Sequence, residues 1–114
     1  MKKLILGILM LAMCGNSLVY QSGEKYSSEN VKANRIDVYK EYFVGGYVAG
    51  AFVSGDGDTD LDLYIYDEFD NLICSSTTYG DDEGCTWIPN GTRKFTIKIK
   101  NVGNISNNYN LILN

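Results

Sequence analysis

Histidine is absent from this 114-residue chain, and no serine has the surroundings of a nucleophile elbow. General acid–base catalysis uses histidine most often, so its absence removes the commonest general base. The domain is also too small to build a substrate cleft much beyond its own core. The sequence therefore predicts a protein without catalytic activity.

Long apolar runs are scarce as well. The one run, residues 4–13, is apolar apart from Gly7 and follows Lys2 and Lys3. It is shorter than the roughly 20 residues that cross a bilayer as a helix. A basic start, a short apolar run and small polar residues are typical of a bacterial export signal. We therefore predict a signal peptide over residues 1–17, an exported protein (secreted or periplasmic) and no transmembrane helix.

Cys14 leaves two modes of signal cleavage open. Leu11-Ala12-Met13-Cys14 is similar to a lipobox, which would attach a lipid at Cys14 and anchor the protein to the cell envelope. Met13 departs from that motif, which places a small residue before the cysteine. The alternative is ordinary cleavage after Ser17, with the small residues Gly15 and Ser17 at the two selective positions.

Basic stretches are also lacking. Without Lys2 and Lys3, eight basic residues face fourteen acidic ones, a net charge near −6. An acidic domain is a poor electrostatic match for a phosphate backbone. We expect no nucleic-acid partner.

Only two cysteines, Cys74 and Cys85, follow the signal segment. In an oxidising exported compartment such a pair predicts a disulfide, because its spacing suits neither a redox motif nor a metal site. A loop of about ten intervening residues makes the bond worth about 2–3 kcal/mol.

Strand-like segments fill the chain from residue 36 onward. Residues 18–35 are polar and aperiodic, which predicts a linker or N-terminal arm with a helical turn starting at Ser27 or Ser28. Beyond them, runs rich in Val, Ile, Tyr and Phe alternate with Gly, Asn and Asp turns, and Pro89 is the single proline. The predicted strands are residues 36–43, 47–53, 60–66, 72–75, 86–88, 93–100 and 109–113. About seven such strands indicate an all-β fold, one antiparallel β-sandwich over residues 36–114.

The run GDGDTDLDLYIYD, residues 55–67, combines aspartates with strand alternation. Alternation places Leu61, Leu63 and Ile65 on the buried face, and Asp60, Asp62, Tyr64 and Tyr66 on the solvent face. An EF-hand does not fit, because Leu61 stands where that loop needs glycine and Asp67 replaces its bidentate glutamate.

Two interpretations of the aspartates stay open. Asp56, Asp58 and Asp60 are candidate ligands of a calcium ion, which binds six to eight oxygens in irregular geometry. The alternative is that they only solvate the loop and discourage edge pairing. A second acidic cluster, Asp81-Asp82-Glu83, is predicted to be a solvated loop tip.

Several motifs together resemble the bacterial pre-peptidase C-terminal domain. GDGDTDLDLYIYDEFDNLICSS matches the family's Asp-Leu-Asp-Leu strand and the strand after it. Gly91-Thr92 with Phe95, Ile97 and Ile99 match its third element, and Tyr109-Asn110-Leu111 match its closing strand. The likeness covers residues 36–114.

This resemblance implies a jelly-roll-like β-sandwich that is non-catalytic and accompanies exported enzymes. Relatives include the collagen-binding domains of clostridial collagenases, where calcium binds loop acids, and by position Asp58 and Asp60 are the residues carried over. We expect a binding module that attaches to a polymer such as a polysaccharide, to the cell envelope or to a partner protein through Tyr64 and Tyr66, since tyrosine offers rigid contact area and one hydroxyl. The alternative is a small surface or periplasmic lipoprotein with a structural or inhibitory role toward another exported protein.

Overall fold

The structure, a computed structural model, describes residues 25–114 in full. Of residues 1–24 it describes only the backbone of three short strands, Ile5–Leu6, Met10–Cys14 and Ser17–Gln21. The predicted signal peptide and the side chain of Cys14 lie outside the fully described residues, so both predictions remain untested.

Eight antiparallel strands make up the described domain. They are β1 (Lys25–Val31), β2 (Ile36–Phe43), β3 (Ala49–Ser54), β4 (Leu61–Tyr66), β5 (Leu72–Ser76), β6 (Asp82–Trp87), β7 (Arg93–Asn101) and β8 (Asn107–Leu113). Between residues 25 and 114 no helix is long and apolar enough to cross a membrane. The all-β prediction is confirmed.

The strands form two sheets with jelly-roll connectivity. The first sheet has the order β1-β8-β3-β6, and Ile5–Leu6 pairs with the start of β1. The second sheet has the order β2-β7-β4-β5. The first strand thus pairs with the last, the second with the seventh, the third with the sixth and the fourth with the fifth. This nesting is that of a jelly roll, as predicted.

Alternating side chains from both sheets fill the core. Leu61, Leu63 and Ile65 on β4 are fully buried, and β7 and β8 contribute further residues in the same pattern: Phe95, Ile97, Ile99, Tyr109, Leu111 and Leu113. Two inner faces packed in this way exclude water and leave every second residue outside. The alternation of period two therefore decides which side chains are available for binding.

The segment predicted to be a linker contains a strand. Residues 25–31 form β1, which pairs with β8 over seven positions, so Ser27 and Ser28 start no helical turn. Its inward row consists of Lys25, Ser27, Glu29 and Val31, of which only Val31 is apolar, so the sequence lacks apolar alternation. Backbone pairing to β8 holds the segment in place.

The acidic cluster predicted to be a solvated loop tip is largely buried. Asp81 and Glu83 have only 9% and 5% of their surface exposed, and β6 begins at Asp82. The Glu83 carboxylate accepts hydrogen bonds from the Ser76 hydroxyl and from the Thr78 hydroxyl (2.6 Å) and amide (3.2 Å). These donors replace the water that a buried carboxylate loses.

The predicted disulfide is confirmed. Cys74 on β5 is bonded to Cys85 on β6, with their Cα atoms 6.1 Å apart. The two strands belong to different sheets, so the bond joins the two layers of the sandwich.

Candidate functional site

The aspartate-rich loop lies at the end of the sandwich where β3 passes to β4. Two buried side chains hold it there. The Asp81 carboxylate accepts hydrogen bonds from the Gly57 amide (2.6 Å) and from Asn107 Nδ2 (2.9 Å). Asn107, which is fully buried, also accepts from the Asp56 amide (3.0 Å) and donates to Thr59 Oγ1 (2.8 Å). The loop conformation is therefore set by contacts with the starts of β6 and β8.

The loop aspartates mainly accept hydrogen bonds from backbone amides. One oxygen of the exposed Asp56 carboxylate accepts from the Asn108 amide (2.8 Å) and the other from the Asp58 amide (3.1 Å). The Asn108 amide, which favours the charged form, is the main reason why the pKa of Asp56 is lowered. Asp60 Oδ1 lies 3.4 Å from the Gly80 amide, a long contact.

The predicted calcium ligands Asp56, Asp58 and Asp60 do not converge. Within residues 25–114 no three His, Cys, Asp or Glu side chains lie close enough together to hold a metal ion. Calcium needs six to eight oxygens around one point, and both Asp56 oxygens already accept backbone hydrogen bonds. As arranged, the three carboxylates do not fit a calcium ion. Calcium at this loop remains a prediction from the sequence.

Tyr64 and Tyr66 lie side by side on the outer face of the second sheet. Their ring centroids are 6.5 Å apart with an interplanar angle of 27°, and both side chains are half-buried. The Tyr64 hydroxyl is 3.4 Å from Asp62 Oδ2. Partial burial, and then the Asp62 charge, raise the pKa of Tyr64, so its hydroxyl stays neutral and can donate. The structure thus presents two tyrosine rings where the alternation places them.

Lysines interleave with these tyrosines, and the sequence reasoning did not assign them a role. Lys98 Nζ lies 4.8 Å from the Tyr66 ring centroid, and Lys94 Nζ lies 5.4 Å from that of Tyr42 on β2. We call this surface the lysine–tyrosine face; its charged and aromatic residues are Lys40, Tyr42, Asp62, Tyr64, Tyr66, Lys94, Lys98 and Lys100, and Ile36 and Val38 are exposed beside them. The alternation of RKFTIKIK already places three of these lysines outside, but the net negative charge of the whole chain gives no sign of a positively charged face.

The acids of β2 point away from that face. Asp37 Oδ2 accepts a hydrogen bond of 2.5 Å from the buried Tyr109 hydroxyl, and Glu41 forms an ion pair with Lys25. The Tyr109 and Tyr39 hydroxyls are 2.5 Å apart. Burial is the first cause of the raised pKa of both tyrosines. These two acids are therefore engaged between the sheets, which separates them from the outward lysines of the same sheet.

The outer face of the first sheet carries another aromatic side chain that the sequence reasoning missed. The Phe52 ring is 39% exposed and lies over Gly50 and Gly84, which leave no space for a Cβ beneath it. Beside it run Ser28 and Asn110, whose side chains are hydrogen-bonded across strands at 2.7 Å. Glycines under a ring can be recognised only when the register is known.

No protein-family model matches the chain, and no curated protein matches it either. Among solved structures, the chain is similar to the pre-peptidase C-terminal domain of collagenase from Bacillus anthracis, with a TM-score of 0.56 and 13% sequence identity. The match covers 75% of this chain and 86% of that domain. The fold is therefore that of a pre-peptidase C-terminal domain, which confirms at the level of structure the resemblance seen in the sequence.

Proposed function

We propose that this protein is an exported, non-catalytic binding module that attaches to a polymer, to the cell envelope or to a partner protein through the lysine–tyrosine face. The observation that carries the proposal is the pair of neighbouring rings of Tyr64 and Tyr66 on an outer sheet face. Tyrosine supplies large contact area with little conformational entropy to lose, and its hydroxyl can hydrogen-bond a ligand.

The similarity in fold agrees with an accessory role. The matched domain belongs to a collagenase, and it is the C-terminal domain of that protein rather than the whole enzyme. In this chain the absence of histidine removes the usual general base, and the buried carboxylates Asp81 and Glu83 accept hydrogen bonds that hold loops. We therefore assign binding and no reaction to this domain.

Export is part of the same proposal. The disulfide between Cys74 and Cys85 suits an oxidising compartment, where such bonds persist. Mass spectrometry of the mature N-terminus tests export and anchoring together. A chain starting near Leu18 indicates ordinary cleavage, a lipid-modified Cys14 indicates an envelope lipoprotein with the alternative structural or inhibitory role, and an uncleaved chain contradicts export.

The binding surface is tested with tyrosine variants. The mature domain is sedimented with insoluble peptidoglycan and with fibrillar collagen as probes. We expect Tyr64→Ala with Tyr66→Ala to weaken the binding at least about tenfold, the scale of a lost aromatic contact at a binding hot spot. Tyr79→Ala is the matched control, because Tyr79 is fully exposed in the loop before β6 and lies off the face.

Circular dichroism and the thermal midpoint show whether each variant remains folded. Loss of binding in the double variant alone supports the proposal. Equal binding by a folded double variant and the wild type, or no binding of either probe by the wild type, contradicts it.

A further inference from the structure

The lysine–tyrosine face has the opposite charge to the rest of the molecule. Four of the eight basic residues that follow Lys3 lie on it, namely Lys40, Lys94, Lys98 and Lys100. Asp62 on this face lies opposite Lys100 in the sheet, and Asp60, at the entrance to β4, lies close enough for its charge to act on Asp62. The other acids lie in the loops, on the other strands or between the sheets. A positively charged face on an acidic protein attracts an anionic ligand locally.

The lysines form a line along the middle of the face. Lys94, Lys98 and Lys100 are on β7, between β2 and β4. Outward positions two residues apart on a strand are separated by about 6.8 Å, so Lys98 and Lys100 are about 7 Å apart and Lys94 lies about 14 Å from Lys98. Tyr42 on β2 lies beside Lys94, and the tyrosine pair on β4 lies beside Lys98, whose neighbour on β2 is the exposed Val38. The arrangement suits an extended ligand.

We propose that this face binds a linear anionic polysaccharide, an inference that rests on the proposed function and names its ligand class. The ammonium groups of the lysines pair with the carboxylate, phosphate or sulfate groups of the chain. The rings of Tyr64 and Tyr66 stack against the apolar faces of sugar rings, and their hydroxyls bond the sugar hydroxyls. The lysine charges on β7 and the tyrosine rings on β4 lie on adjacent strands, so one acidic sugar chain can contact both.

The spacing of the charges favours a glycan over a nucleic-acid duplex. A duplex carries one negative charge about every 1.7 Å of its helix axis, whereas the Cα positions of the lysines on β7 are about 7 and 14 Å apart. The net negative charge of the domain also repels a dense polyanion more strongly than a sparsely charged one. A polymer with one charge per sugar or per disaccharide matches the face better.

The first experiment compares polygalacturonate with its fully methyl-esterified form, which has the same sugar chain with uncharged methyl esters in place of the carboxylates. We expect the mature domain to bind polygalacturonate in affinity electrophoresis, to bind the ester at least about tenfold more weakly, and to lose affinity as ionic strength rises from about 0.05 to about 0.3 M. Equal affinity for the two polymers, or no affinity for polygalacturonate, overturns the inference.

Lysine variants test the location. Lys98→Met with Lys100→Met removes two charges but keeps the apolar stems, and we expect at least about tenfold weaker binding of polygalacturonate. Lys32→Met, an exposed lysine between β1 and β2, is the control and should bind as the wild type does. Unchanged binding in a folded double variant overturns the inference.

Two further probes test the ligand class. Polyglutamate carries negative charge without sugar rings. Oligothymidylate carries a denser negative charge, on the phosphates of a nucleic-acid strand. If the domain binds either probe more tightly than it binds polygalacturonate, and this binding depends on the lysines, the assignment to a polysaccharide is contradicted. If the tyrosine variants lose binding of insoluble probes while the lysine variants keep it, the polysaccharide inference fails and the proposed function stands.

Discussion

The side-chain amide of Asn107 donates a hydrogen bond of 2.9 Å to the carboxylate of Asp81, and both residues are buried. This pair joins the starts of β6 and β8 to the aspartate-rich loop between β3 and β4, because both side chains also bond backbone amides of that loop. Gly55, at the beginning of the loop, leaves no space for a Cβ beside Asp81. The loop is thus held from within the domain.

Replacing Asn107 should destabilise the domain strongly. Asn107→Ala leaves the Asp81 carboxylate and the Asp56 amide short of a partner, and unsatisfied buried groups of this kind cost about 2–3 kcal/mol together. Urea unfolding of the oxidised domain measures the change. Asn104→Ala, at an exposed asparagine in the loop between β7 and β8, serves as the control, with an expected effect within about 0.5 kcal/mol. Equal effects of the two variants would show that the buried pair is not a main support.

Asp56 should stabilise the folded state at neutral pH but not in acid. Its pKa is lowered in the folded protein, so its contribution is complete above the ordinary aspartate pKa of about 3.9 and is lost as the pH falls through the lowered value. We expect the stability gap between the wild type and Asp56→Asn to be constant from about pH 7 to about pH 5 and to shrink toward about pH 2.

A control variant without a titrating side chain is measured in the same denaturation series. Thr86→Ala changes an exposed, non-titrating side chain on β6, so its stability gap should not vary with pH. The difference in stability between the wild type and Asp56→Asn is small, because the Asp56 carboxylate is exposed. A gap for Asp56→Asn that grows as the pH falls would contradict the hydrogen-bonded loop.

The sequence predicted the sandwich where apolar alternation is complete. Residues 93–100 and 109–113 alternate without interruption, so both segments are strands at those positions, with β7 and β8 only one or two residues longer. The sequence did not predict β1, because the inward positions of this strand are mostly polar and its pairing partner β8 lies some 80 residues later in the chain. Long-range backbone pairing leaves little local signal.

The sequence also predicted part of the candidate functional site. Alternation placed Tyr64 and Tyr66 outside, and the structure places them there. The burial of Asp81 and Glu83 was not predictable, because acids in a glycine-rich segment look solvated until their donors on other strands are known. The charge of the lysine–tyrosine face was also missed, since net charge averages over faces that the fold separates.

A calcium site at Asp56, Asp58 and Asp60, as the sequence predicts, would raise the stability of the folded domain. A ligand that binds only the folded state at micromolar affinity adds about 4 kcal/mol at a thousandfold excess, so millimolar calcium would raise the thermal midpoint and a chelator would reverse the rise. Asp58→Ala would abolish the rise, and Asp70→Ala, in the turn between β4 and β5, is the control. Because the three carboxylates do not converge in the structure, such a rise requires the loop to rearrange around the ion. An unchanged midpoint would leave the hydrogen bonds of Asp81 and Asn107 as the support of this loop.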